Sequence, residues 1–259
     1  NSLYPHLIMQ YNISPETYYD VKTNGVNVDN MLSQQVNLKF AKDKNLTIAP
    51  NGAMFKRDKQ GFLPELMEKM YGDRVIYKKK MMVAKKEFQK TKDPIYKNEI
   101  ARCHNIQMAK KIALNSAYGA IGNQYFRYFD VKQAEAITLG GQLSIRWVER
   151  DVNKFMNKVL ETDNQNYVVA SDTDSIYISM GKLVDKVCKD KTPQQISDFL
   201  DKVSEQKLQK VIDKSFDNLA EYVNAFQQKM VMKREAIANK GIWVAKKRYM
   251  LNLFDEEGI

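Results

Sequence analysis

The sequence reads as an α+β protein: antiparallel strands carrying packed helices, interrupted by a hairpin of two long helices. Three observations predict this. Apolar residues recur at helical spacing on both sides of Lys92-Asp93-Pro94. Short β-branched and aromatic runs flank Ser171-Asp172-Thr173-Asp174-Ser175, and strand character returns after residue 229. The 259 residues are 44% hydrophobic and 28% charged, an ordinary globular composition with enough apolar material for a real core.

Residues 1–60 combine a short apolar opening, Leu3-Tyr4-Pro5 then Leu7-Ile8-Met9, with loops and a hairpin around Pro50-Asn51-Gly52. Strand and turn signals dominate there. Pro64 takes the place of a first-turn proline, and the helix it opens carries Met67, Met70, Tyr77 and Met81. A second helix from about Ile95 to Ala117 completes an antiparallel hairpin, expected to project from the body. Residues 135–160 read as an amphipathic helix, and Tyr167–Ala170 with Ile176–Ser179 as a strand pair. Thr192-Pro193 caps a long helical region reaching Val223, whose apolar spacing is core packing. Met230–Glu235 and Ile242–Ala245, the latter leading into Lys246–Phe254, read as strands. The sequence holds no internal repeat and no low-complexity tract.

Cys103 and Cys188 stand far apart without a CxxC or a histidine cluster, which argues against a disulfide framework and a zinc site and for a reducing, intracellular setting. No apolar stretch approaches the ~20 residues that span a bilayer, and no charged-then-apolar leader opens the sequence. Both ends read as cuts through something longer. His104 reads as surface or packing.

Charge placement narrows the chemistry. Residues 56–111 hold 16 Lys and Arg against 7 Asp and Glu, so this stretch carries +9 of a net charge of +10. A localised positive field attracts phosphate-bearing partners, although a solvated lysine-rich face gives the same count. Lys111, Asn115 and Tyr118 share one helix face at i, i+4 and i+7, and Arg74 and Lys78 share another at i and i+4. Facing each other across the hairpin, they could hold a triphosphate, with Asn115 and Tyr118 beside sugar and base. Gly119 and Gly122 follow directly. A glycine inside a helix costs roughly 1 kcal/mol against alanine, and it commonly marks a close backbone approach.

Asp172 and Asp174 would stand together at one sheet end. Clustered hard oxygens suit Mg²⁺, which takes one or two carboxylates and completes its shell with water and phosphate. Asp-x-Asp in a hairpin is also plain turn chemistry, so other residues must decide.

Those residues carry a resemblance. Lys111-Ile-Ala-Leu-Asn115-Ser-Ala-Tyr118-Gly119 resembles motif B of family B DNA polymerases, and Ser2-Leu3-Tyr4-Pro5 the tail of their motif A. Asp172-Thr173-Asp174-Ser175 is similar to motif C, and Lys246-Lys247-Arg248-Tyr249 to the K-K-x-Y element. The order is the family's, and the four motifs span essentially the whole sequence. Asn12-Ile-Ser-Pro-Glu16, Phe126-Arg-Tyr-Phe-Asp130 and Arg234-Glu235-Ala-Ile-Ala238 look most like the replicative polymerases of tailed bacteriophages.

The resemblance implies a palm on an antiparallel sheet from residues 1–60 and 123–259, ending at the start of the thumb, with fingers at 61–122. It implies template-directed DNA synthesis with two Mg²⁺ ions. Asp174 and Asp172 would be the metal and catalytic carboxylates, with Glu235 a further acid by the site. The backbone of Ser2 and Leu3 would touch the triphosphate tail, and Tyr4 would press on the sugar. Arg74, Lys78 and Lys111 would bind phosphates, and Asn115 and Tyr118 would line the base-pair pocket. Gly119, Lys246, Lys247, Arg248 and Tyr249 would contact DNA. Primer–template DNA and deoxynucleoside triphosphates are the implied partners, with a sliding clamp and other replication proteins in the full-length enzyme, in the cytoplasm of an infected bacterial host and without a membrane. The metal-binding Asp of motif A falls outside this sequence, so the fragment alone is expected to be weak or inactive. His6 replaces a frequent serine and reads as a tolerated substitution. Two rivals remain: a noncatalytic nucleic-acid-binding piece, and a metal-dependent glycosyl or nucleotidyl transferase built on the Asp172-x-Asp174 pair.

Overall fold

In the computed structural model, which describes residues 2–21 and 23–256, the apolar opening is a helix, α1 (Leu3–Tyr11). Strand and turn signals had been expected there. Pro5 does not forbid the helix, because it is the third helical residue, where the missing N–H would have no intrahelical partner. Leu7, Ile8 and Tyr11 are fully buried. A helix covered on several faces loses the one-sided pattern that identifies it in sequence. Asn12, at φ 58°, ends α1 in the left-handed conformation.

The chain continues through β1 (Tyr18–Tyr19), two short helices, α2 (Val28–Leu32) and α3 (Lys39–Asp43), and the strands β2 (Leu46–Ile48) and β3 (Met54–Lys56). β2 and β3 form the expected hairpin around Asn51-Gly52, with Thr47 opposite Phe55, and β1 pairs on the other side of β3. Gly52 sits at φ 82°, and a side chain there would collide with Thr23.

α4 (Phe62–Thr91) and α5 (Pro94–Ile121) make the predicted antiparallel helical hairpin. Lys92 turns the corner at φ 59°. Asp93 caps α5 by accepting from the Ile95 N–H, and Pro94 occupies the first turn. The start of α4 is capped from outside its own sequence. The Gly61 N–H donates to Asn12 Oδ1 at 2.9 Å and the Phe62 N–H to Glu16 Oε1 at 2.6 Å. A carboxylate at that end also complements the helix dipole.

α6 (Val131–Leu160) follows, opened by Asp130, which accepts from the Lys132 and Gln133 N–H groups. Next come β4 (Val168–Asp172), β5 (Ser175–Ile178), α7 (Gly181–Val187) and α8 (Pro193–Val203). Thr192 and Gln195 form a capping box at the start of α8. A π-helical turn at Ser204–Leu208 joins α8 to α9 (Gln209–Tyr222), and the hairpin β6 (Ala236–Ala245) and β7 (Arg248–Glu256) closes the order.

Two expectations are corrected. Met230–Glu235 is not a strand. Its polar groups are taken by side chains instead: Met232 O accepts from Gln209 Nε2, and Arg234 reaches both Asp201 at 2.7 Å and Asp255 at 2.9 Å. Nor do the described strands form one antiparallel sheet. They make three separate small ones: β1-β3-β2, β4-β5 and β6-β7.

The chain divides into two compact units, residues 1–141 with 220–230, and residues 142–219 with 231–259. The first has its core in Leu7, Ile8, Tyr11, Met31, Phe55, Met67, Leu114 and Ile137. The second is built on Leu143, Trp147, Val148, Val152, Phe216 and Leu219.

Candidate functional site

In the first unit, α1 packs on both α4 and α5, which brings its N-terminal residues to the helical hairpin. Arg74 Nη1 donates to Ser2 Oγ at 3.1 Å. The Tyr4 and Tyr118 rings lie 4.6 Å apart between centroids, tilted by 33°. His6 packs its ring edgewise on Tyr71 at 4.6 Å, and its Nδ1 lies 2.7 Å from Ser2 O. Burial lowers the His6 pKa, so the ring is neutral near pH 7. Two pairs thus tie the start of α1 to the hairpin, Ser2 to Arg74 of α4 and Tyr4 to Tyr118 of α5.

The remaining candidates of this unit flank those pairs. Lys78 is one turn beyond Arg74 on α4 and exposed, while Lys111 is half-buried and Asn115 exposed on the turns of α5 before Tyr118. Asp73 and Lys110 tie the two helices at 2.8 Å, and that bond holds the Asp73 carboxyl below its usual range. The close approach expected at the glycines is not seen among the described residues. No side chain or other segment among them comes within 4 Å of where a Gly119 side chain would stand, and at Gly122, which ends the helix, Ala134 stands at an ordinary contact distance of 3.6 Å. An open surface results at Gly119.

In the second unit, Asp172 pairs with Ser175 and leaves Thr173-Asp174 as a two-residue turn, with Thr173 at φ 37°. The turn places both aspartates at the hairpin tip, Asp172 half-buried and Asp174 exposed. Thr173 donates to Asp172 Oδ1 at 3.0 Å. Among the described residues, no group of three or more His, Cys, Asp or Glu side chains could hold a metal ion. Two carboxylates do fit Mg²⁺, whose shell is completed by water and phosphate rather than by a protein cage.

Lys246 and Lys247 form the turn of the β6-β7 hairpin, with Lys247 at φ 61°, and Arg248 and Tyr249 begin β7. Trp243 and Tyr249 are register partners across the turn, and the Tyr177 ring of β5 meets both edgewise, at 5.1 and 5.5 Å. Burial, together with hydrogen bonding to Tyr249, pushes the Tyr177 phenol up to about 12. These rings join the two hairpins. Glu235 is exposed immediately before β6. Sequence reasoning passed over Tyr177 and Trp243. A plain two-residue turn at Lys246-Lys247 would set Val244 opposite Tyr249; a register shift between Trp243 and Ala245 brings Trp243 there instead, and nothing local in the sequence announces that bulge.

The sequence pattern that defines DNA polymerase family B matches residues 1–217. The chain belongs to that family. The relatives it matches include the DNA-directed DNA polymerases of Escherichia phage RB69, 33% identical, and Enterobacteria phage T4, 31% identical. Each match covers 99% of this chain and 34% of the relative, so this family B chain spans about a third of the length of its phage relatives. The structure of the family B DNA polymerase from Pyrobaculum calidifontis matches 99% of the chain and 25% of its own length, with a TM-score of 0.50 and 19% identity. That likeness shows the fold. No helix among the described residues is long and apolar enough to cross a membrane.

Proposed function

We propose that the chain is the palm and fingers part of a template-directed DNA polymerase, with palm at residues 1–60 and 123–259 and fingers at 61–122. Family membership supports this reading. The observation that carries it is the pairing of Ser2 with Arg74 and of Tyr4 with Tyr118, which joins the two motifs expected to handle the incoming nucleotide to a cation of the first finger helix.

The chemistry follows from the residue types. The backbone of Ser2 and Leu3, at the start of α1, meets the triphosphate tail, since a helix N-terminus favours phosphate oxygens. Arg74 offers a planar fork for those oxygens, while Lys78 and Lys111 offer compact charges. Tyr4 presses on the sugar where a ribose 2′-hydroxyl would clash, and Asn115 and Tyr118 line the base pair. Gly119, Lys246, Lys247, Arg248 and Tyr249 hold the DNA. Asp174 and Asp172 hold the metals, with Glu235 as an accessory acid. Two bound Mg²⁺ ions would activate the primer 3′-hydroxyl and neutralise charge at the leaving pyrophosphate. Phosphoryl transfer asks the protein mostly for position and charge, and base pairing selects the nucleotide. Primer–template DNA and deoxynucleoside triphosphates are then the substrates, and a clamp and other replication proteins are partners of the full-length enzyme.

Primer extension by the full-length parent tests this. Asp174→Ala abolishes incorporation and leaves primer–template affinity unchanged. Retained incorporation refutes the metal assignment.

A further inference from the structure

The outward face of α4 is unlike an ordinary solvated helix surface. Ile76 and Val83, seven residues apart, are 52% and 61% exposed, and Met82 beside them is 50% exposed. Lys79 and Lys86 repeat at the same seven-residue interval, three positions after each. All of them lie away from the side that packs along α5, where Met81 and Ala84 are buried. From Arg74 to Lys86 the helix contains no Asp or Glu. Solvated faces normally mix charge signs at i and i+4, because opposite pairs support the helix. Here a branched apolar side chain and a lysine alternate along one line, in the spacing of a coiled-coil seam.

Charge and shape restrict the occupant. A nucleic-acid backbone would satisfy Lys79 and Lys86 but offers nothing to Ile76, Met82 or Val83. A second copy of this face would set lysine against lysine, which is repulsive. An amphipathic helix with acidic residues opposite the lysines and aliphatic ones opposite Ile76 and Val83 satisfies both sets. Complementary charges would fix its register, and apolar burial would supply affinity. We propose that the outward face of α4 between Ile76 and Lys86 docks an acidic amphipathic helix of a partner protein.

The test titrates the 259-residue chain with three labelled probes, read by fluorescence anisotropy. The first is a synthetic helix of about three heptads with leucine and glutamate in seam positions. The second is a scrambled peptide of identical composition, and the third is a short oligothymidylate. The ordered helix binds at least about tenfold more tightly than the scrambled one, as expected when register as well as charge is read. Val83→Ser and the double variant Lys79→Glu/Lys86→Glu each reduce that binding about tenfold or more, the range for residues inside a small interface. Val83→Ser leaves oligothymidylate binding unchanged. All substituted positions are exposed, and circular dichroism confirms that each variant folds. Equal binding of ordered and scrambled peptides, or indifference to Val83→Ser, overturns the proposal and leaves a solvated lysine face. Loss of oligothymidylate binding in the lysine variant, with no peptide binding by the parent chain, overturns it in favour of a nucleic-acid surface.

Discussion

Asn12 is the residue whose removal most directly tests how the first unit is held together. Its side chain is completely buried and makes three hydrogen bonds to the segment that starts α4. Nδ2 donates to Lys56 O at 2.8 Å and to Lys59 O at 2.9 Å, while Oδ1 accepts from the Gly61 N–H at 2.9 Å. At about 1 kcal/mol for each net bond, Asn12→Gly costs about 3 kcal/mol. Glycine tolerates the φ of 58° at this position, whereas alanine adds a left-handed penalty of about 1 kcal/mol, so Asn12→Ala costs about 4 kcal/mol. The two variants therefore separate side-chain bonding from backbone strain. Urea unfolding followed by circular dichroism measures both. Hydrogen exchange at the Gly61 amide gives the local readout, where a loss of 3 kcal/mol corresponds to about a hundredfold faster exchange. If Asn12→Gly costs less than about 1 kcal/mol, or Gly61 keeps its protection, the side chain is not the clamp described here.

Glu16 makes the same junction acid-sensitive. Burial disfavours its carboxylate, but donation from the Ser14 hydroxyl and the Phe62 N–H, both at 2.6 Å, outweighs burial and lowers its pKa. A folded value below the unfolded one means that the stabilisation is present at neutral pH and is lost as pH falls through the lowered folded value. Urea midpoints of Glu16→Gln and the parent chain should differ at pH 7 and converge in acid, and an unchanged gap contradicts the assignment. Tyr177 works in the opposite direction. Its raised value favours the neutral phenol, so its contribution is complete below the ordinary tyrosine range and fades as pH rises towards about 12. Burial raises Tyr11 and Tyr222 too, so ultraviolet titration should show several late phenolates, one of which Tyr249→Phe moves to lower pH, and no movement would separate the two rings. In the full-length parent, Tyr4→Ala should raise ribonucleotide incorporation in a kinetic assay, and unchanged sugar discrimination removes Tyr4 from that role.

The elements legible in the sequence were those whose signals are local. Asp93-Pro94 announced the corner between α4 and α5, Thr192-Pro193 with Gln195 announced α8, and Ser, Asp and Thr between two branched runs announced the β4-β5 turn. What stayed hidden depended on distant partners. α1 is buried on too many faces to show a period, and the start of α4 is capped by residues about 50 positions upstream. The 230–235 segment looked like a strand because Met-Val-Met is apolar, yet Arg234 is drawn to Asp201 and Asp255, separated from it by 33 and 21 positions. Of the candidate residues, sequence located Asp172 and Asp174 at a hairpin tip and Arg74, Lys78 and Lys111 on the two helices of one hairpin. The contacts of Ser2 and Tyr4 with the helical hairpin needed the fold, because nothing local ties residue 2 to residue 74.

Those contacts bear on how a nucleotide would enter. In the proposed reading, a triphosphate takes the place of the Ser2 hydroxyl as the acceptor for Arg74 Nη1, 3.1 Å away. The guanidinium brings charge to either bond, but phosphate adds an opposite charge and can take two N–H groups of the fork, so the exchange runs towards the ligand. The hydroxyl meanwhile holds the guanidinium in place, and less side-chain entropy remains to be lost on binding. Tyr118 against Tyr4 does the same for the ring that meets the sugar. A wholly apolar residue at position 2 would separate the two effects: Arg74 would lose its bond to the Ser2 hydroxyl while keeping its charge. Triphosphate affinity should then fall through ordering alone, whereas Arg74→Ala removes ordering and charge together and should weaken it further.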